Sequence, residues 1–270
     1  MQMKLAGIII ASALALGSCG ARNSVEAEPL PSAHDAGLRR VLAALDVLPA
    51  DTKASIEKAI LASPDSFLEL LAAADKESLA AGDLLILVDK KNALPPDYEP
   101  NDLVSINGWG VSVTRKDLRL RECIMEPSRQ MASAAKAEGI DIIFASSYRS
   151  YEYQDGLFKR YAASYGEEEA SRFSARPGTS QHQLGTVIDF FPIDDTFAES
   201  KAGRWMEENA WRYGFSRSFP QGMEEVTGYV WESWHFRYIT KPGVLLERDY
   251  FEGIQQFFLE FLAAYRMIGA

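Results

Sequence analysis

The segment Trp231-Glu232-Ser233-Trp234-His235-Phe236-Arg237-Tyr238 sets the tightest constraint on what this chain can fold into. From Trp234 onward it alternates. Trp234, Phe236 and Tyr238 face one way, and His235, Arg237 and Ile239 the other. Period two marks a strand with two different faces. The aromatic side needs a packed core, and His235 on the other side can look into a cleft. Glu232 belongs at the bend before the strand, because on a flat strand it would point away from His235. From that bend it can reach the same space.

The chain has three histidines: His34, His182 and His235. His34 stands beside a linker and is given no role. His182 sits in Ser180-Gln181-His182-Gln183-Leu184-Gly185-Thr186-Val187-Ile188-Asp189, where Gly185 allows a tight return of the chain. Two imidazoles and a carboxylate suit a zinc ion that keeps one position open. His182, Asp189 and His235 are therefore candidate ligands, and Glu232 is a candidate base. Against this stands the plainer reading that two histidines are structural and that Trp231 and Trp234 are core residues.

Other features bound the whole. A net charge of −10 argues against a nucleic-acid partner or a basic membrane-binding face. Lys4 precedes an apolar run from Leu5 to Leu16, too short to span as a mature helix and typical of an export signal. The run ends Leu16-Gly17-Ser18-Cys19, which resembles a lipobox. Residues 1–18 thus read as a lipoprotein signal peptide, with Cys19 the lipidated residue. Residues 19–34 read as a polar tether. The expected location is outside the cytoplasm, on a bacterial membrane, facing the periplasm or cell wall. Cys123 is the one other cysteine. It is expected on a helix, buried and inert.

Residues 35–82 read as a small helical appendage. Leu38, Val41, Leu42 and Leu45 make one stripe, and Ser63-Pro64-Asp65 looks like a helix start. Residues 84–268 read as the main domain. Strands are expected at Leu84–Val88, Ile140–Ala145, Val187–Phe191 and Trp234–Ile239. Helices are expected from Leu120 to Glu138, over Tyr151–Ser164 behind a Ser150 cap, over Gly166–Phe173, over Ala198–Trp211 and over Phe251–Ile268. The irregular interleaving predicts an α+β fold, a mostly antiparallel sheet with helices around it. Gln154 heads the apolar stripe Gln154, Leu157, Phe158, Tyr161, so it points inward and needs a polar partner.

These motifs resemble the VanY-type D-alanyl-D-alanine carboxypeptidases, zinc metallopeptidases grouped with lysostaphin and the Hedgehog fold. The family pattern Ser-x-His-x-x-Gly-x-Ala-x-Asp is met by Ser180, His182, Gly185 and Asp189, with Val187 in the alanine place. Glu-Pro-Trp-His is met by Glu232, Trp234 and His235, with Ser233 for proline. Ser-Gly-Tyr-Arg-Ser followed by glutamine is met by Ser146, Tyr148, Arg149, Ser150 and Gln154, with Ser147 for glycine. Asn209–Phe215 is also family-like. The resemblance covers about residues 84–239.

It implies one Zn²⁺ held by His182, Asp189 and His235. Glu232 would activate water, and Arg149 would stabilise substrate or oxyanion. Gln154, Ser180 and Trp234 would bind substrate. The implied substrate is the D-Ala-D-Ala end of peptidoglycan stem peptides. L,D-cleavage of tetrapeptide stems is an alternative. So is a non-catalytic zinc-containing wall-binding module, although such a module has no need of Glu232.

Overall fold

The computed structural model describes residues 33–269. The signal segment, Cys19 and the tether as far as residue 32 lie outside the described residues. None of the described helices is long and apolar enough to cross a membrane.

The described residues open with three helices, α1 (Ala33–Ala44), α2 (Ala50–Ala62) and α3 (Pro64–Ala80). The stripe on α1 works as its spacing requires: Val41 and Leu45 are fully buried, and Leu38 and Leu42 pack beside them. Ser63 occupies the cap position of α3, yet its side chain makes no capping bond. Its hydroxyl instead lies 2.9 Å from the Tyr250 hydroxyl, so a tertiary contact displaced the local one.

These helices share one apolar core with the end of the chain, α10 (Lys241–Tyr250) and α11 (Gln255–Ile268). Phe67 of α3 sits edge-on to Tyr250 at 5.0 Å and to Phe261 at 5.8 Å. The two chain ends also meet directly. Arg40 donates to the Tyr265 carbonyl at 2.6 and 3.0 Å and lies over the Tyr265 ring. The sequence reading missed α10, because Pro242 and Gly243 look like a loop. The proline instead falls in the first turn, where no amide is needed, and the Thr240 side chain accepts from Gly243 N.

Between these ends lies a five-stranded mixed sheet in the order β2-β4-β5-β7-β6. Its strands are β2 (Ser112–Val113), β4 (Ile143–Ser146), β5 (Val187–Phe190), β6 (Phe215–Arg217) and β7 (His235–Tyr238). Only the β2–β4 pair is parallel. β1 (Leu103–Ser105) and β3 (Arg119–Arg121) form a separate antiparallel pair. Helices α4 (Met125–Ala137), α5 (Tyr151–Tyr165), α6 (Glu167–Phe173), α7 (Thr196–Glu199), α8 (Lys201–Asn209) and α9 (Glu224–Thr227) surround the sheet. The fold is α+β, as the interleaving predicts.

One sheet face is apolar: Phe144, Ile188, Phe190, Phe236 and Tyr238 join a second core with Trp205 and Met206. The other face carries Asp189, His235 and Arg237. Alternation along β5 and β7 thus separates core from chemistry.

Three expectations are corrected. Leu84–Val88 is not a strand. Its carbonyls at Leu84 and Ile86 accept from the buried Arg237 guanidinium at 2.9 and 2.8 Å, which replaces a ladder partner. The helix expected over Ala198–Trp211 is broken at Ser200, whose side chain caps α8. Cys123 lies in a single 3₁₀ turn before α4 and is exposed.

Candidate metal centre

The centre is built by strand register. Asp189 on β5 pairs with His235 on β7, and on its other side with Ser146 on β4. Three neighbouring strands therefore bring Ser146, Asp189 and His235 into one row. His182 arrives from a short 3₁₀ turn, Gln181–Leu184, and Gly185 then adopts φ 70° to return the chain into β5. The positive φ favours glycine there, and a Cβ would also press on the Leu103 side chain at 2.8 Å.

His182, Asp189 and His235 are all buried, with one ligand atom from each inside a 4.8 Å group. His182 Nε2 is 3.2 Å from Asp189 Oδ2, and His235 Nδ1 is 3.2 Å from Asp189 Oδ1. Glu232 lies at the bend before β7, its Oε2 3.0 Å from His235 Nδ1. Arg149 Nη2 donates to Asp189 Oδ2 at 2.6 Å and to Ser146 Oγ at 2.9 Å. His182 Nδ1 is 2.7 Å from the Ser147 carbonyl, which leaves Nε2 as the free ligand atom.

The buried groups of the site act strongly on one another. Burial pushes Asp189 upward, but His182 and Arg149 outweigh it and hold its carboxyl well below the usual range. Burial, reinforced by Arg149, lowers His182 to about 4. Burial opposes charge on His235 too, yet hydrogen bonds and charge from Asp189 and Glu232 prevail and raise it to about 9. Burial raises Glu232, against the pull of His235. Asp189 Oδ1 is buried and makes no well-aligned hydrogen bond, its near polar neighbour being His235 Nδ1 at 3.2 Å. A buried acceptor so placed is costly unless a metal takes it. The donor set fits zinc, with one carboxylate and two imidazoles, of which His235 would give up its Nδ1 proton as the metal binds.

The group opens into a cleft of about 570 Å³. Ser180, Trp234, Glu232 and Arg149 line it together with the three ligands. Gln154 does not. It is buried behind the wall, donating to the Ala175 carbonyl at 2.7 Å and bracing the Ser174–Ala175 stretch that does line the cleft. Its partner is the chain itself. The sequence reading missed Phe219, whose ring stands 4.7 Å from that of His235. It also missed Tyr229 and the α5 side chains Tyr153, Leu157 and Tyr161 on the opposite wall. The α5 stripe was visible, but nothing local says which cavity a stripe faces.

A buried His₂Asp group with an adjacent glutamate, set on a sheet at a cleft, defines a metallohydrolase-type centre. The VanY family model, described as D-alanyl-D-alanine carboxypeptidase, matches residues 117–241. A putative carboxypeptidase of Bacillus subtilis (strain 168), YodJ, is 34% identical over 183 residues, covering 65% of this chain and 67% of that protein. Among solved structures, the LdcB LD-carboxypeptidase matches with a TM-score of 0.57 and 33% identity, covering 64% of this chain and 87% of that one. A vancomycin-resistance D,D-pentapeptidase, VanY, solved with Zn(II), matches with a TM-score of 0.50 and 30% identity over 59% of this chain and 90% of that one. The chain belongs to the VanY family of D-alanyl-D-alanine carboxypeptidases. His182, Asp189 and His235 form a buried group that could hold a metal ion, and the ion in that VanY structure is Zn(II).

Proposed function

We propose that this chain hydrolyses the terminal D-Ala-D-Ala bond of peptidoglycan stem peptides, with zinc held by His182, Asp189 and His235. The observation that carries this reading is the buried His₂Asp group in contact with Glu232 at a cleft of peptide size. Zinc, when bound, supplies a Lewis acid and makes water acidic enough to serve as a nucleophile near neutral pH.

The protein's own residues do the rest. Glu232 takes the proton of the attacking water and returns it to the leaving amine nitrogen. A carboxyl raised by its surroundings is matched to that task. Arg149 is the cation on the cleft wall beside the ligands. It holds the substrate's terminal carboxylate or the developing oxyanion through charge-assisted bonds. The second cleft arginine, Arg115, is tied to Asp117 at 2.6 and 2.7 Å. Ser180 and Trp234 contact substrate from the cleft wall, and Gln154 keeps that wall in place.

The likeness to an LD-carboxypeptidase supports a second reading, removal of the last residue of a tetrapeptide stem by the same chemistry. Synthetic pentapeptide and tetrapeptide stems, followed by mass spectrometry with and without a chelator, separate the two. Chelator-sensitive loss of one D-alanine from the pentapeptide is the expected result. Cleavage of the tetrapeptide alone moves the assignment to the L,D reading. No cleavage by a zinc-loaded chain overturns both.

The apolar run Leu5–Leu16 and the Leu16–Cys19 motif support export and lipid anchoring at Cys19. Cys19→Ala is expected to release the protein from the membrane fraction. An unchanged distribution removes the anchor.

A further inference from the structure

The two ligand histidines are braced through opposite nitrogens. His182 turns Nδ1 to the Ser147 carbonyl at 2.7 Å, which requires the proton on that atom. His235 does the reverse. Its Nδ1 faces Asp189 and Glu232, and its Nε2 lies 3.4 Å from Gln181 Oε1. An amide oxygen cannot donate, so this contact is a hydrogen bond only when Nε2 carries the proton, and in the neutral ring that a metal ligand must be, this leaves Nδ1 free.

Gln181 does not stand alone. Its Oε1 also lies 2.7 Å from Ser218 Oγ, a donor at the end of β6. Ser218 Oγ is 3.2 Å from Gln255 Oε1, and Gln255 Nε2 points to the Ser216 carbonyl at 3.4 Å. The hydroxyl has one proton, and the shorter contact takes it. Gln181, Ser218 and Gln255 are 6%, 3% and 1% exposed, so bulk water does not compete for these bonds. Gln255 opens α11, outside the span that matches the family model. The backbone of Gln181 leads directly into one ligand while its side chain touches the other. A shift in either is felt by both.

We propose that Gln181, held by the Ser218 hydroxyl, is a positioning residue that fixes His235 in the tautomer with Nδ1 free for zinc. The inference rests on zinc binding by His182, Asp189 and His235. Partners beyond the ligands orient the imidazole and raise its basicity, and losing one typically weakens metal binding by about 10–100-fold. Methionine at position 181 keeps the length and volume and removes the acceptor. Glutamate keeps the acceptor.

The experiment measures zinc affinity by competition with a chromophoric chelator for the full chain and for Gln181→Met, Gln181→Glu and Ser218→Ala. In parallel, ¹⁵N-histidine NMR of the zinc-loaded wild type reads the tautomers. Expected are a loss of about 10–100-fold in Gln181→Met, a smaller loss in Ser218→Ala, and recovery in Gln181→Glu. The spectrum should show Nδ1–H on His182 and Nε2–H on His235. Wild-type affinity in Gln181→Met overturns the proposal, and so does glutamate binding as poorly as methionine. A merely structural role would lower the unfolding midpoint of all three variants and leave the folded methionine and glutamate variants with equal zinc affinity. Should Gln181→Met fail to fold, the wild-type spectrum decides, since Nδ1–H on His235 sinks the idea. A wild type that takes up no zinc refutes the ligand assignment instead.

Discussion

The helical layer and the cleft are built on opposite terms. In the layer, Val41, Leu45, Ile56, Ile60, Phe67, Phe258 and Phe261 are fully buried, and aromatic rings meet at 5.0–6.2 Å. Such contacts need no special geometry, and each large side chain removed from water stabilises by roughly 1.5–3 kcal/mol. In the cleft, two carboxylates and two imidazoles are crowded together, His182, Asp189 and His235 buried and Glu232 partly so, with His235 Nδ1 the near neighbour of Asp189 Oδ1 at 3.2 Å. Burial there works against folding unless partners and metal compensate. The chain therefore holds a costly polar centre by closing an apolar core elsewhere. Loss in one region should register as activity, and loss in the other as stability.

The largest effect should follow Glu232→Gln. It should cut turnover by about 10²–10⁴-fold at unchanged zinc stoichiometry. Activity near wild type would remove Glu232 as the base and blur the division. Phe67→Ala, in the layer, should cost about 3–5 kcal/mol in urea unfolding while the folded fraction keeps its kcat/KM. A fall in kcat/KM at full folding would couple the two regions.

Glu247 sharpens the contrast, because it is a buried acid outside the centre. Burial pushes it up to about 8, despite the Ser216 hydroxyl donating to it at 2.7 Å. A carboxyl raised in the folded state contributes stability that is complete below its unfolded pKa and is lost as pH rises through about 8. Glu247→Gln keeps the acceptor and removes the titration. It should gain on wild type between pH 5 and 8 by a few kcal/mol, at about 1.4 kcal/mol per pKa unit. Parallel unfolding curves across that range would refute the shift. The smallest effect belongs to Ser150→Ala. The Ser150 side chain accepts from Tyr153 N at 3.2 Å at the head of α5, so its loss should cost about 1 kcal/mol. Because α5 carries a cleft wall, KM should rise more than kcat falls.

The ligands were legible in the sequence because metal chemistry admits few residue types and their spacing survives folding. The β7 strand was legible because its two faces differ in kind. The 84–88 segment was misread as a strand because an apolar run does not say whether its carbonyls meet a strand or a guanidinium. The stripe on α1 announced burial but not its partner, which lies more than 200 residues away on α11. Gln181, Ser218 and Gln255 gave no signal at all. Each is an ordinary polar residue until three elements bring them within reach of His235.

The meeting of α1 with α11 has a mechanical side. Any pull applied to residues ahead of Ala33 reaches α1 first. The Arg40 clasp on the Tyr265 carbonyl and the shared apolar core pass it to α11. The force is then spread across the helical layer, which joins the first described helix to the last. A protein hung by its leading end would take the load first on packed apolar helices, before the strands that carry Asp189 and His235.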